Sequence, residues 1–203
     1  CKAIPGRRSH RLGKEIVNRP RPAFYAVPGT TIGDIVGLLH PPYTAWHLGY
    51  VIIGASLAPT VDWLRLTGTL LAFFSGTGVA AHALDELNGR PLRSTLKGRT
   101  LLLMAGIGFT AVIGLAVAGV FVVSPWIAAW TVSGVALASG YALAQRGPIH
   151  SSLGFALVWG AFPVAAAFWV QAERFGLATL FACAAAALLS LAQRSLSSRA
   201  TRS

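Results

Sequence analysis

Acidic residues are scarce in this chain: 6 Asp and Glu stand against 17 Lys and Arg in 203 residues. Charged residues of both signs reach only 11%, less than half of the roughly 25% usual in soluble domains. So little charge excludes a disordered chain and an ordinary soluble domain. Cysteine is nearly absent as well. Cys1 and Cys183 lie far apart in the chain, which excludes a disulfide framework and offers no metal-ligand spacing. No apolar core follows the basic start, so residues 1–39 are not expected to be a signal peptide.

What the chain has instead is 54% hydrophobic residues, a mean hydropathy of +0.61 and a net charge of +11. Nucleic-acid binders spread basic residues over a polar fold. Here the basic residues collect at the ends of apolar segments, so no nucleic-acid partner is expected. At about 20 residues per crossing, the pattern predicts an all-α, polytopic membrane bundle of about six transmembrane helices. The segments are about Pro42–Thr60, Leu66–Asp85, Thr100–Val123, Pro125–Gln145, Ser151–Gln171 and Phe175–Gln193. Pro125 splits an otherwise continuous apolar run into two helices. The organisation expected is a loosely ordered basic arm over 1–39, a transmembrane domain over 40–193 and a basic tail over 194–203.

Charge orients the bundle. Lys2, Arg7, Arg8, Arg11, Lys14, Arg19 and Arg21 precede the first segment. Arg90, Arg93, Lys97 and Arg99 follow the second, Arg146 the fourth, and Arg194, Arg199 and Arg202 the sixth. Only Arg65 and Arg174 fall in the alternate connections, so the two sides hold 15 and 2 basic residues. The positive-inside bias predicts an integral, multi-pass protein with both termini cytoplasmic. Most of these cations are read as topology signals and contacts to anionic membrane lipids.

Small residues recur along the segments: Gly49, Gly54 and Ala58; Gly76 and Ala80; Gly114 and Ala118; Gly134 and Ala138. In lipid they let helix backbones approach closely. Two stretches, from Gly76 and from Gly106, match a dinucleotide-type G-x-G-x-x-A. Without a preceding strand they read as packing glycines.

Ionisable groups within or beside an apolar span are costly, so each is a functional candidate. The second segment ends in His82, Asp85 and Glu86, followed by Asn88, Arg90 and Arg93. Spacings of three and four residues put His82 on one helix face with the two carboxylates. Carboxylates there suit Mg2+ or Mn2+, and an imidazole suits a softer metal. Arginines beside a carboxylate-bound cation are what a diphosphate needs. The bland alternative pairs Asp85 and Glu86 with nearby arginines and bonds His82 to a backbone carbonyl. Ahead of the first segment, His40, Tyr43 and His47 are expected on the same side and line the same cavity, or else anchor the interface with Trp46. His10 and His150 read as solvated interface residues. Trp159, Trp169, Phe155, Phe162 and Phe168 read as packing and belt.

A carboxylate-rich end of the second helix followed by Arg90-Pro91-Leu92 resembles the UbiA superfamily of intramembrane prenyltransferases. Its first signature is Asn-Asp-x-x-Asp-x-x-x-Asp, with Arg-Pro-Leu downstream. Asp85 falls on the middle Asp, and the Tyr141 to Pro163 stretch is similar to the family's fourth and fifth helices. The likeness spans residues 40–193. Ala81, His82 and Gly89 replace signature residues, and no second Asp-rich motif occurs in the 203 residues. The resemblance implies a short, divergent UbiA-like protein that binds or transfers a polyprenyl or other lipid diphosphate. Asp85 would bind Mg2+ with Glu86 or His82 assisting. Arg90 and Arg93 would hold phosphate, and Asn88, His40, His47 and Tyr43 would complete the substrate site. Neutralising the leaving diphosphate would be the catalytic contribution, with Asp85 and His82 as the catalytic residues.

Two alternatives stand beside this. One is an intramembrane hydrolase with Zn2+ on His40, His47 and His82, and Asp85 or Glu86 as base. The other is a non-catalytic small subunit or scaffold of a larger membrane complex. A homo-oligomer is among the expected partners.

Overall fold

The computed structural model describes residues 30–144 and 147–200. Among these residues the chain is all-helical, without a strand. In order come α1 (Thr31–Leu38), α2 (Pro41–Ser56), α3 (Trp63–Gly89), α4 (Gly98–Val122), α5 (Ile127–Leu143), a 3₁₀ turn (Pro148–His150), α6 (Ser152–Ala172) and α7 (Leu177–Ala200). Each apolar segment contains one helix. The cations before residue 30, Arg146, Arg202, Cys1 and His10 lie outside the described residues.

α3, α4, α6 and α7 are long and apolar enough to cross a membrane. α5 is apolar but has 17 residues, and α2 has 16. At 1.5 Å per residue these two reach only ~25 Å, short of the ~30 Å hydrocarbon core. α2 is also less apolar, with Thr44, His47 and Tyr50 on its buried face.

Local chemistry sets the helix starts. The Asp62 carboxylate accepts from the N–H groups of Leu64 and Arg65 at 2.8 and 3.1 Å, capping α3. Ser151 Oγ accepts from Gly154 at 2.9 Å and caps α6. Pro41 and Pro42 open α2, where a missing N–H costs nothing. α4 and α5 are joined by the tight turn expected around Pro125.

Residues 31–38, expected within a loosely ordered arm, instead form α1. Thr30 Oγ1 caps it by accepting from Gly33 at 3.0 Å. Leu38 is fully buried in a cluster with Ala83, Leu96, Leu101 and Ala105. Asp34 accepts from the Thr95 N–H at 2.7 Å. The helix is anchored by contacts from α3, α4 and their connection, none of them visible in an eight-residue window.

Small residues bring the helices together, but not at every position expected. A Cβ on Gly54 would lie 2.3 Å from the Val164 carbonyl oxygen of α6. One on Gly108 would lie 2.6 Å from the Ser75 carbonyl oxygen of α3. Backbones this close tolerate no side chain between them. Gly49 and Gly114 face open space.

Two helices leave α-geometry. Within α3, Phe74–Ala81 winds as π-helix; within α6, Leu157–Ala161 does the same. π segments are uncommon and are found frequently at functional sites. The first ends at His82 and the second contains Trp159, so both lead to the same end of the bundle.

Candidate functional site

His82 follows the α3 π segment, and its Nδ1 lies 3.2 Å from the Gly78 carbonyl oxygen. A proton on Nδ1 donated to that oxygen leaves Nε2 as a lone-pair acceptor. The His82 and His40 rings are 4.7 Å apart. His40 caps α2 in the left-handed region at φ +44°, a conformation uncommon outside glycine though less so for histidine. The Tyr43 ring is 6.1 Å from that of His40 and 6.5 Å from that of His47. His47 is 5% exposed, and its Nδ1 makes no hydrogen bond of good geometry.

Trp159 extends this group. Its ring meets His47 and Tyr141 edge-on, each at 5.2 Å. Tyr141 stacks on His150 at 4.3 Å. Arg194 of α7 donates to the His150 carbonyl at 3.0 Å and to the Tyr141 hydroxyl at 3.3 Å, and sits over the Phe155 ring. α2, α3, α5, α6 and α7 thus each supply a polar or aromatic side chain to one end of the bundle. Burial holds His40, at its edge, below the ordinary imidazole range, partly offset by the Glu86 carboxylate.

The two carboxylates have different fates. Glu86 is fully buried and accepts from the backbone N–H groups of Leu92 and Ser94 at 2.9 and 2.8 Å. Arg90, left-handed at φ +50°, donates to the Leu96 carbonyl at 2.6 Å. Asn88 donates to the Ala142 and Leu143 carbonyls at the end of α5. Asn88 therefore holds carbonyls that α5 leaves unsatisfied at its end, while Glu86 and Arg90 hold backbone groups of the 90–97 connection. Arg93 is exposed, at φ +53°. Asp85 is partly buried, with no hydrogen bond or ion pair among the described residues. Its electrostatic neighbours are His150, Glu86 and Tyr141.

Of the bland alternative, the His82–carbonyl bond is present. Arginine pairing is not: the ion pairs among the described residues belong to Arg65, with Asp62 and Glu173. Among the described residues no group of three or more His, Cys, Asp or Glu is arranged to hold a metal ion. A cation at this end would rest on Asp85 and take its other ligands from a bound molecule.

An apolar cavity of about 380 Å³ opens between α3, α4, α5 and α6. Leu64, Thr77, Phe109, Ala138, Trp159 and Phe162 are among its walls. Leu64 to Thr77 on α3 corresponds to ~20 Å of helix. Trp159 belongs both to this cavity and to the polar cluster.

Sequence reasoning assigned no role in the site to Trp159, Tyr141, His150 or Arg194. They come from separate helices, so no spacing announces them. The chain matches no family model, and comparison with curated proteins and with solved structures returns no match.

Proposed function

We propose that this is a multi-pass membrane protein with six crossings, both termini cytoplasmic and a UbiA-like architecture, which binds a polyprenyl or other lipid diphosphate. The observation carrying this is the apolar cavity ending at Trp159, the residue that also contacts the polar cluster. An amphiphile needs that arrangement: an apolar chamber for its tail and a polar mouth for its head. The charge bias of 15 against 2 supports the orientation.

Asp85 is the carboxylate without a partner among the described residues, and such a carboxylate in a partly buried position favours a cation. Mg2+ bound there would neutralise charge on the diphosphate. Arg93, exposed on the 90–97 connection, supplies a guanidinium for phosphate. Glu86 and Arg90 act indirectly, by shaping the connection that carries Arg93. His82 presents Nε2 as a hydrogen-bond acceptor beside His40.

The test is titration of the protein in lipid nanodiscs with a prenyl diphosphate, with and without Mg2+. Binding is expected to require Mg2+ and to weaken at least about tenfold in Asp85→Asn, the loss of a charge-assisted contact. Thermal stability should hardly change, because Asp85 makes no hydrogen bond among the described residues. Equal binding by Asp85→Asn, or none by the unaltered protein, rules the proposal out.

A further inference from the structure

At the opposite end of α3 lies a second pocket, open and about 490 Å³ in volume. Trp126 and Trp130 reach it from the start of α5, Trp169 and Glu173 from the end of α6, and Phe175 from the connection to α7. The Trp130 ring is 6.0 Å from Trp169 and 6.1 Å from Phe175, at interplanar angles of 41° and 55°. Tilted pairs of this kind leave ring faces unstacked. Trp126 and Phe175 are 68% and 56% exposed. A belt of interfacial aromatics accounts for single exposed tryptophans, but it does not require four rings to converge on one concavity.

The pocket also contains a carboxylate held in place. Glu173 ends α6 in the left-handed region at φ +52°, its N–H donating to the Trp169 carbonyl at 2.7 Å. Arg65 Nη1 donates to Glu173 Oε1 at 3.0 Å and to the Val170 carbonyl at 3.0 Å. Gln171 and Asp62 exchange hydrogen bonds beside it, at 2.8 and 3.1 Å. Glu173 thus keeps a fixed position while its side chain stays 41% exposed. No basic side chain is among the residues lining the pocket.

Four aromatic rings and a carboxylate whose Oε1 is taken by Arg65 surround a space lined by no basic side chain, an arrangement complementary to a positive group too large and weakly hydrated to demand a full water shell. We propose that this cup binds an organic ammonium group, carried by a lipid headgroup of the choline or ethanolamine type or by a free alkylammonium solute. The rings supply cation–π attraction, and Glu173 offers the carboxylate oxygen that Arg65 does not hold. The site is independent of the diphosphate proposal, being at the other end of α3.

The experiment uses the whole chain in nanodiscs of phosphatidylglycerol, which carries no ammonium. Tryptophan fluorescence is followed while adding hexyltrimethylammonium or its neutral isostere, in which carbon replaces nitrogen. Saturable binding is expected, with at least about tenfold preference for the cation. Trp126→Leu, which alters an exposed side chain, and Glu173→Gln should each weaken it several-fold. Saturation by tetramethylammonium alone would assign a free solute as occupant. Displacement of the probe by phosphatidylcholine in the disc would assign a lipid headgroup. Equal affinity for cation and isostere, or full binding by both variants, overturns the proposal and leaves the rings as belt.

Discussion

At the Arg65 end of α3 the charged side chains bond to one another. Twenty residues on, ~30 Å along the helix, at the Asp85 end, no such pair forms among the described residues. Arg65 joins Asp62 to Glu173, and the Asp62–Gln171 hydrogen bonds tie the α2–α3 connection to α6. At the other end Glu86 and Arg90 spend their charge on backbone N–H and carbonyl groups, Asp85 has no partner among the described residues, and imidazoles and phenols fill the remaining space. At the paired end Asp62, Arg65 and Glu173 find their counter-ions inside the protein. The Asp85 end is closed only at its rim and keeps polar capacity inside. That difference separates carboxylates shared with a guanidinium from one that has no such partner among the described residues.

Three changes test the contrast. The largest effect is expected from Glu86→Ala, which leaves the part-buried N–H groups of Leu92 and Ser94 without their acceptor. At about 1–3 kcal/mol per unsatisfied group, the loss should approach ~3 kcal/mol. Thermal unfolding in a fixed detergent measures it, and limited proteolysis should cut within residues 90–97. An unchanged melting temperature would mean that the rim is not held by Glu86. Next is Arg65→Met at the clasp. Its partner Glu173 is 41% exposed and can be solvated once freed, so the cost should be about 1 kcal/mol. A loss equal to that of Glu86→Ala would erase the distinction between the ends.

The smallest effect is a pH dependence at the rim. Burial lowers the His40 pKa from its ordinary 6.5, with the Glu86 carboxylate opposing. The unfolded chain therefore takes up a proton that the folded chain resists. Stability from this group is complete above about pH 6.5 and is lost as pH falls below it. His40→Gln should flatten that part of the profile. A wild-type profile that rises on acidification between pH 6.5 and 5.5 would contradict the burial of a neutral ring.

Helices were the legible part of this chain. Six apolar runs contain six helices because burial of apolar surface and the need to satisfy backbone groups both act locally along a run. Pro125 marked a turn for the same local reason. α1 was hidden: its eight residues depend on Leu38 entering a cluster supplied by α3, α4 and the residues between them. The small-residue pattern was half legible. Gly54 and Gly108 are close-approach points whereas Gly49 and Gly114 are not, since helix rotation decides which face meets a neighbour. The π segments shift that rotation inside α3 and α6, and no periodicity signalled them. Spacing alone grouped Asp85 with Glu86, yet adjacent residues on a helix point about 100° apart. One carboxylate turns into the 90–97 connection, and the other faces His150 and Tyr141.

By itself, the sequence determined what can be summed over neighbouring residues. It set a helical chain poor in acid, with long apolar helices and cations between them. Tertiary structure decided which polar groups are already spent. Glu86 is engaged by N–H groups six and eight residues away, Asn88 by carbonyls more than fifty away, and His47 lies against Trp159 of another helix. A carboxylate's availability depends on whether a folded backbone reaches it. That distance is created by packing and is written in no local stretch of residues.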